Sequence, residues 1–173
     1  LIKDFGGVLP QWSYASSPFI DGDKLILITC NKEYCACAVN RNTGELIWKT
    51  DIKDLAAYAT PLVTTIGGVR QYVLFLTKTT IGVNPDTGVI LWKFAWYSGN
   101  MCQPMIIGNC ICLFTAYNIG SVCFEVNVVV NKQVWKTKDV QPEFSAPIFY
   151  RGYIYGTTNP GDFICVDPKD GKV

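Results

Sequence analysis

The 173 residues are 49% hydrophobic, 13% aromatic and 17% charged, which excludes a disordered chain and fits a well-buried, β-rich protein of ordinary domain length. Fifteen basic against fourteen acidic residues leave a formal charge of +1, and no run of like charge is long enough to track a phosphate backbone, so nucleic acid is not an expected partner. The longest apolar stretches, at 25–29 and 126–130, have strand length and fall far below the roughly 20 residues of a membrane-crossing helix, so no transmembrane segment is expected.

The chain opens Leu1-Ile2-Lys3-Asp4 with neither an initiator Met nor a basic n-region, and any targeting signal is expected upstream of it. After the stretch Asp4-Phe5-Gly6-Gly7-Val8-Leu9-Pro10-Gln11-Trp12, a first strand-like run begins at Ser17-Pro18-Phe19-Ile20. Short alternating or fully apolar runs follow at 24–30, 34–39 and 45–50. The turn Asn42-Thr43-Gly44 precedes the last of them, which carries Trp48. The same order then recurs. Thr60-Pro61-Leu62-Val63 leads to Asp86-Thr87-Gly88 and Trp92; Gln103-Pro104-Met105-Ile106 leads to Val129-Val130-Asn131 and Trp135; Ala146-Pro147-Ile148-Phe149 leads to Lys169-Asp170-Gly171.

The four prolines, Pro18, Pro61, Pro104 and Pro147, are 43 residues apart each time, and the three tryptophans are 44 and 43 apart. A fixed period of this size signals stacked supersecondary units. The fourth residue before each Trp is Gly, Gly or Asn, the residues that tolerate positive φ in a tight hairpin. No segment holds a 3.6-residue apolar period over ten or more residues. The expected fold class is therefore all-β: a β-propeller of about four blades with four antiparallel strands each. It is read as one partial propeller domain, 1–173, with units at 13–55, 56–98, 99–141 and 142–173. The prolines are expected at equivalent places on the innermost strands.

The run Ala38-Val39-Asn40-Arg41-Asn42-Thr43-Gly44-Glu45-Leu46-Ile47-Trp48 resembles the tryptophan-docking motif of pyrroloquinoline-quinone-like (PQQ-like, quinoprotein-type) propeller repeats. Gly82-Val83-Asn84-Pro85-Asp86-Thr87-Gly88-Val89-Ile90-Leu91-Trp92 is a second copy, with Gly for Ala and Asn for Asp. The third, 125–135, keeps Asn127 and Trp135 but has Asn131 where Gly is usual, and the fourth, 165–171, stops before its Trp. The opening segment, with Ser17-Pro18 and Asp21-Gly22-Asp23-Lys24-Leu25, also resembles bacterial PQQ-like repeat proteins, the relatives of the propeller lipoprotein of the outer-membrane β-barrel assembly machinery. The resemblance implies that Trp48, Trp92 and Trp135 dock on neighbouring blades, that the ring has seven or eight blades, and that the protein is periplasmic or otherwise extracytoplasmic.

The chain has no histidine, which removes the commonest general base, Ser-His and Cys-His nucleophile pairs, and His-based metal sites. Asp21, Asp23, Asp86 and Glu143 are read as turn carboxylates that bond their own backbone. Quinone-dependent dehydrogenases, which share this blade type, add calcium-binding carboxylates, a catalytic Asp and often adjacent cysteines. None of the eight cysteines here is adjacent to another. Cys35 and Cys37, and Cys110 and Cys112, have the i, i+2 spacing that puts both thiols on one face of a strand. Cys30 and Cys35 flank a short loop and could face each other as a disulfide or as buried thiols; a four-thiolate zinc site would need Cys35, Cys37, Cys110 and Cys112 to converge.

No catalytic, cofactor-binding or metal residues are therefore assigned. Propellers bind partners where the outer strand of one blade crosses to the inner strand of the next. Those crossings contain Trp12, Tyr14, Tyr58, Trp96, Tyr97, Gln103, Glu143 and Phe144, which are the candidate ligand or partner face. The favoured reading is a non-enzymatic binding or scaffold module without a cofactor, taking a protein or other partner. The alternative is a fragment of a PQQ-dependent dehydrogenase using PQQ and calcium.

Overall fold

The computed structural model describes residues 2–97, 102–127, 131–158 and 161–173. They divide into two compact units, Leu1–Tyr97 and Ser98–Val173. In the first unit, one helical turn, α1 (Ile2–Phe5), precedes two four-stranded antiparallel meanders. These are β1 (Phe19–Asp21), β2 (Lys24–Ile28), β3 (Ala36–Asn40) and β4 (Leu46–Lys49), then β5 (Leu62–Ile66), β6 (Val69–Phe75), β7 (Thr79–Val83) and β8 (Ile90–Ala95). The second unit holds β9 (Met105–Ile107), β10 (Cys110–Thr115), β11 (Gly120–Glu125) and β12 (Lys132–Thr137), followed by the three-stranded β13 (Ile148–Tyr150), β14 (Tyr153–Thr157) and β15 (Phe163–Val166). The helical turn is too short to leave a periodic signal in the sequence.

Each repeat proline sits one residue before the first strand of its sheet, at the same register position in all four. A residue without an N–H suits the entrance to a strand better than its interior. The expected equivalence holds, with each proline just outside the strand rather than on it.

The turns before the tryptophans share one hydrogen-bond scheme. The Asn40 side chain accepts from the Asn42 and Thr43 N–H groups at 2.8 and 3.1 Å, while Gly44 N–H donates to the Asn40 carbonyl at 2.8 Å. Asn84 repeats this with Asp86, Thr87 and Gly88, and Asp167 does so with Lys169 and Gly171. All three glycines have positive φ, at 77°, 72° and 73°. A side chain able to accept from the backbone two residues on, followed by a residue tolerant of left-handed φ, is what this turn requires. Val129 and Val130 of the third turn lie outside the described residues.

Each docking tryptophan lies opposite a small residue on the neighbouring strand: Ala38 for Trp48, Gly82 for Trp92 and Cys123 for Trp135. Each of these pairs is followed by a β-bulge. A Cβ on Gly82 would overlap the Trp92 indole, so the position accepts nothing large. In the third unit the partner is Cys123, two residues earlier than the 125–135 motif places it. The third hairpin carries one more residue pair beyond its bulge, Glu125 with Lys132, and strand pairing rather than fixed sequence offset decides which residue meets the indole.

The other faces of the Trp48 and Trp135 indoles lie on the next sheet of the same unit. Trp48 Nε1 donates to the Pro85 carbonyl at 3.0 Å, and a Cβ on Gly88 would come within 2.7 Å of the Trp48 ring. Trp135 Nε1 donates to the Pro168 carbonyl at 2.7 Å, with Gly171 in the place of Gly88. Trp92 is also buried, its Nε1 donating to Gln71 Oε1 at 2.5 Å. In the first unit the core joins Ile26, Ile28, Ala36, Ala38 and Trp48 of the first sheet to Tyr72, Leu74, Ile81 and Val83 of the second. In the second unit Cys112, Phe114, Cys123 and Trp135 meet Ile154, Ile164 and Val166.

Ala at position 44 or 88 separates two costs. Gly44 has open space around it, so Gly44→Ala should lose only the about 1–2 kcal/mol of forcing an L-residue into left-handed φ. Gly88→Ala should lose a further roughly 1–3 kcal/mol because its methyl meets the Trp48 ring. Trp92→Ala should cost about 3–5 kcal/mol, as large aromatic truncations in cores do. Urea unfolding of the three variants against the parent checks all of these values.

Candidate functional site

The crossing residues occupy different environments. Trp12 is 54% exposed, and its ring stands 5.6 Å from that of Tyr58 at an interplanar angle of 52°. The Trp12 N–H donates to the Tyr58 hydroxyl at 3.3 Å, and the Ser17 N–H donates to Thr60 Oγ1 at 3.2 Å, so the first two crossings are tied side by side. Tyr14 is half-buried. Its hydroxyl donates toward the carbonyls of Val8 and Thr29, at 2.9 and 2.8 Å, and anchors the opening segment. Burial, with the Cys30 thiol beside it, raises its pKa.

Tyr97 is 65% exposed, whereas Trp96 is buried and its backbone N–H pairs with the Lys78 carbonyl. In the second unit Gln103 is exposed and Phe144 is 70% exposed. Glu143 is half-buried and takes a hydrogen bond from Tyr117, which raises the tyrosine pKa. Within the first unit the structure thus brings Trp12 and Tyr58 together as an open aromatic pair, and within the second it leaves Phe144 projecting beside Glu143.

The carboxylates are committed to structure, but not all in the way the turns suggest. Asp54 caps the backbone N–H groups of Leu55 and Lys78. Asp21 and Asp86 join the first sheet to the second rather than serving their own turns. Arg70 forks onto both Asp21 oxygens at 2.8 Å, the buried Tyr72 hydroxyl donates to the same carboxylate, and Lys24 pairs with Asp86 at 2.5 Å. Asp23 pairs with Arg41 at 3.5 Å. Among the described residues, no group of three or more His, Cys, Asp or Glu side chains is arranged to hold a metal ion.

All eight cysteines are free thiols. Cys30 Sγ donates to the Cys35 carbonyl, while Cys35 Sγ is gripped by the Asp54 backbone, with N and O at 2.9 and 3.1 Å. Cys35 packs into the core between the first two sheets, whereas Cys37 joins Leu27, Tyr34 and Val39 in a separate cluster under Phe5. The i, i+2 expectation fails there because Cys35 precedes β3. The Thr29 and Cys30 N–H groups both converge on its carbonyl, so regular alternation has not begun. Cys110 and Cys112 do share a face.

Two clefts lie away from the crossings: one of about 350 Å³ between Phe5 and Tyr34, the other of about 380 Å³ between Lys49 and Lys93. A further apolar surface, missed in the sequence, is one face of the fourth sheet. Ile148, Tyr150, Tyr153, Phe163 and Cys165 are exposed on it, and the Tyr155 and Phe163 rings stack at 6.3 Å. The other face carries the buried Ile154, Ile164 and Val166. The signal was present: strands apolar at both odd and even positions have two faces to cover.

Repeated four-stranded meanders, locked by a tryptophan on the next sheet's turn, define a partial β-propeller of the PQQ-like type. The model of the family described as "Outer membrane protein assembly factor BamB" matches residues 9–173, and the chain belongs to that family. The crystal structure of BamB from Moraxella catarrhalis is similar at a TM-score of 0.67 with 14% identity, over 92% of this chain and 50% of that one. The chain thus spans half the length of that protein. No curated protein matches the chain. Among the described residues, no helix is long and apolar enough to cross a membrane.

The Asp21 cluster generates a pH prediction. The Tyr72 hydroxyl first, then the Arg70 and Lys24 charges, hold the Asp21 carboxyl below its usual value. A depressed folded-state pKa stabilises the protein above the unfolded value of about 3.9, and that stabilisation fades as pH falls through the folded value. Asp21→Asn should therefore cost about 1–3 kcal/mol at pH 7 and progressively less below about pH 4. Chemical unfolding of both proteins across pH 2–7 (roughly the carboxylate range) measures the difference.

Proposed function

We propose that the chain is a non-enzymatic propeller module that binds a protein partner in outer-membrane protein assembly. Contact is made through exposed aromatic residues at its crossing loops, in the periplasm or another extracytoplasmic space. The observation that carries this reading is the open Trp12–Tyr58 pair, with Tyr97 and Phe144 also projecting. Large, rigid aromatic groups left in water at loop ends form protein contacts well, because they bury area at low conformational cost. The absence of histidine and the structural commitment of Asp21, Asp54 and Asp86 support a binding role over catalysis. The same reading assigns the exposed face of the fourth sheet to a further blade of a larger ring.

Titration of the full chain with purified soluble subunits of the outer-membrane assembly machinery, followed by calorimetry, tests the proposal. Trp12→Ala and Phe144→Ala should each weaken binding by about tenfold or more with the unfolding midpoint unchanged. Absence of binding, or binding indifferent to both changes, overturns it. So would alcohol or sugar oxidation above the protein-free blank when PQQ, calcium and an artificial electron acceptor are supplied.

A further inference from the structure

The third sheet gathers three thiols on one face. Cys110 and Cys112 are two residues apart on β10, and Cys123 on β11 is directly opposite Cys112. The Cys112 and Cys123 Sγ atoms are 3.0 Å apart, about 1 Å beyond a covalent disulfide. Cys110 lies diagonally across from Cys123, and the two thiols interact. Exposure falls along the set: Cys110 reaches the surface, whereas Cys123 and Cys112 are 1% and 0% exposed.

Packing does not call for thiols at these places. By strand register, the positions of Cys110, Cys112 and Cys123 are Lys24, Ile26 and Ala38 in the first sheet, and Gln71, Val73 and Gly82 in the second. Residues other than cysteine satisfy the same blade geometry twice in this chain, aliphatic or small at the positions of Cys112 and Cys123 and polar, Lys24 or Gln71, at that of Cys110. The cluster is therefore a property of the third sheet and not of the repeat.

We propose that Cys110, Cys112 and Cys123 form a thiol–disulfide relay, in which Cys110 meets a low-mass disulfide oxidant at the surface and the bridge finally stored is Cys112–Cys123. The Cys110 thiolate attacks one sulfur of the oxidant, forming a mixed disulfide and releasing the first thiolate. Cys123 attacks the Cys110 sulfur, expelling the second. Cys112 then attacks Cys123 and returns Cys110 to the thiol. Two protein thiols lose two electrons and two protons, and the oxidant becomes two thiols. The bridge links two strands at the sheet centre, beside the indole of Trp135, and so couples redox state to the rigidity of the blade interface. Burial, with the Cys123 thiol and the Glu125 carboxylate, pushes the Cys110 thiol up to about 11, so the first attack is faster at alkaline pH.

The full chain is incubated with oxidised glutathione, residual thiols are alkylated, and the linkage is mapped by mass spectrometry. Chymotrypsin cuts after Phe114 and Tyr117, between the two halves of the bridge. The expected product is a Cys112–Cys123 bridge with Cys110 free, in protein whose circular dichroism is unchanged. Cys110→Ser should reach the same bridge about tenfold more slowly or worse, because the remaining pair is buried. Cys123→Ala, a change the fold tolerates at Ala38, should form no bridge and hold glutathione on Cys110. Exposed Cys165 reports that the reagent is competent. The relay is overturned if Cys165 is modified while Cys112 and Cys123 both remain alkylatable, or if Cys110→Ser oxidises at the parent rate.

Discussion

The contact between a tryptophan and the turn of the next sheet is the constraint on which the rest of the architecture depends. A four-stranded meander has two faces and cannot bury both by itself. Trp48 and Trp135 solve this in the same way: the indole covers a small residue of its own sheet, its N–H bonds a carbonyl in the next turn, and its ring rests where only a glycine fits. One residue type therefore sets sheet-to-sheet spacing, fixes register through the bulge beside it, and explains the turn chemistry. In the two turns that receive an indole, Asn84 and Asp167 fix the turn whose proline carbonyl the indole needs, and the glycine removes the Cβ that the ring would meet.

This constraint leaves other positions free to change. Ala, Gly and Cys all stand opposite one of the three tryptophans, and the third hairpin carries one more residue pair beyond its bulge without disturbing Trp135. That tolerance lets the third sheet carry three thiols where the first two carry other residues. It also lets the crossing loops diverge, since they lie outside the sheets and need only span from one to the next. Trp12, Tyr58 and Phe144 sit in that unconstrained part, which is where a binding function can be acquired at little cost to the fold.

Charge has a comparable structural use. Arg70 and the Tyr72 hydroxyl meet on Asp21, and Lys24 meets Asp86, each pairing a residue of the first sheet with one of the second. These partly shielded pairs set orientation between two sheets whose apolar contacts are non-directional.

The repeat, the strand positions, the turns and the contact of Trp48 and Trp135 with the next sheet were legible in the sequence. Period, glycine at positive φ and proline at a strand entrance are local requirements that leave local marks. The site was legible only in part: Trp12 and Tyr58 could be named as crossing residues, but not that they would form a pair, nor that Trp96 would be buried. Partners on different elements likewise left no mark, as with Asp21 and Tyr72, or Cys112 and Cys123, or Cys35 held by the Asp54 backbone before β3 begins. The sequence by itself determined the blade type and its repetition, because each unit's backbone pattern is enforced within some forty residues. Only the tertiary structure decided which side chains face one another, because cross-strand register and sheet packing depend on turn lengths and bulges that shift partners by one or two residues.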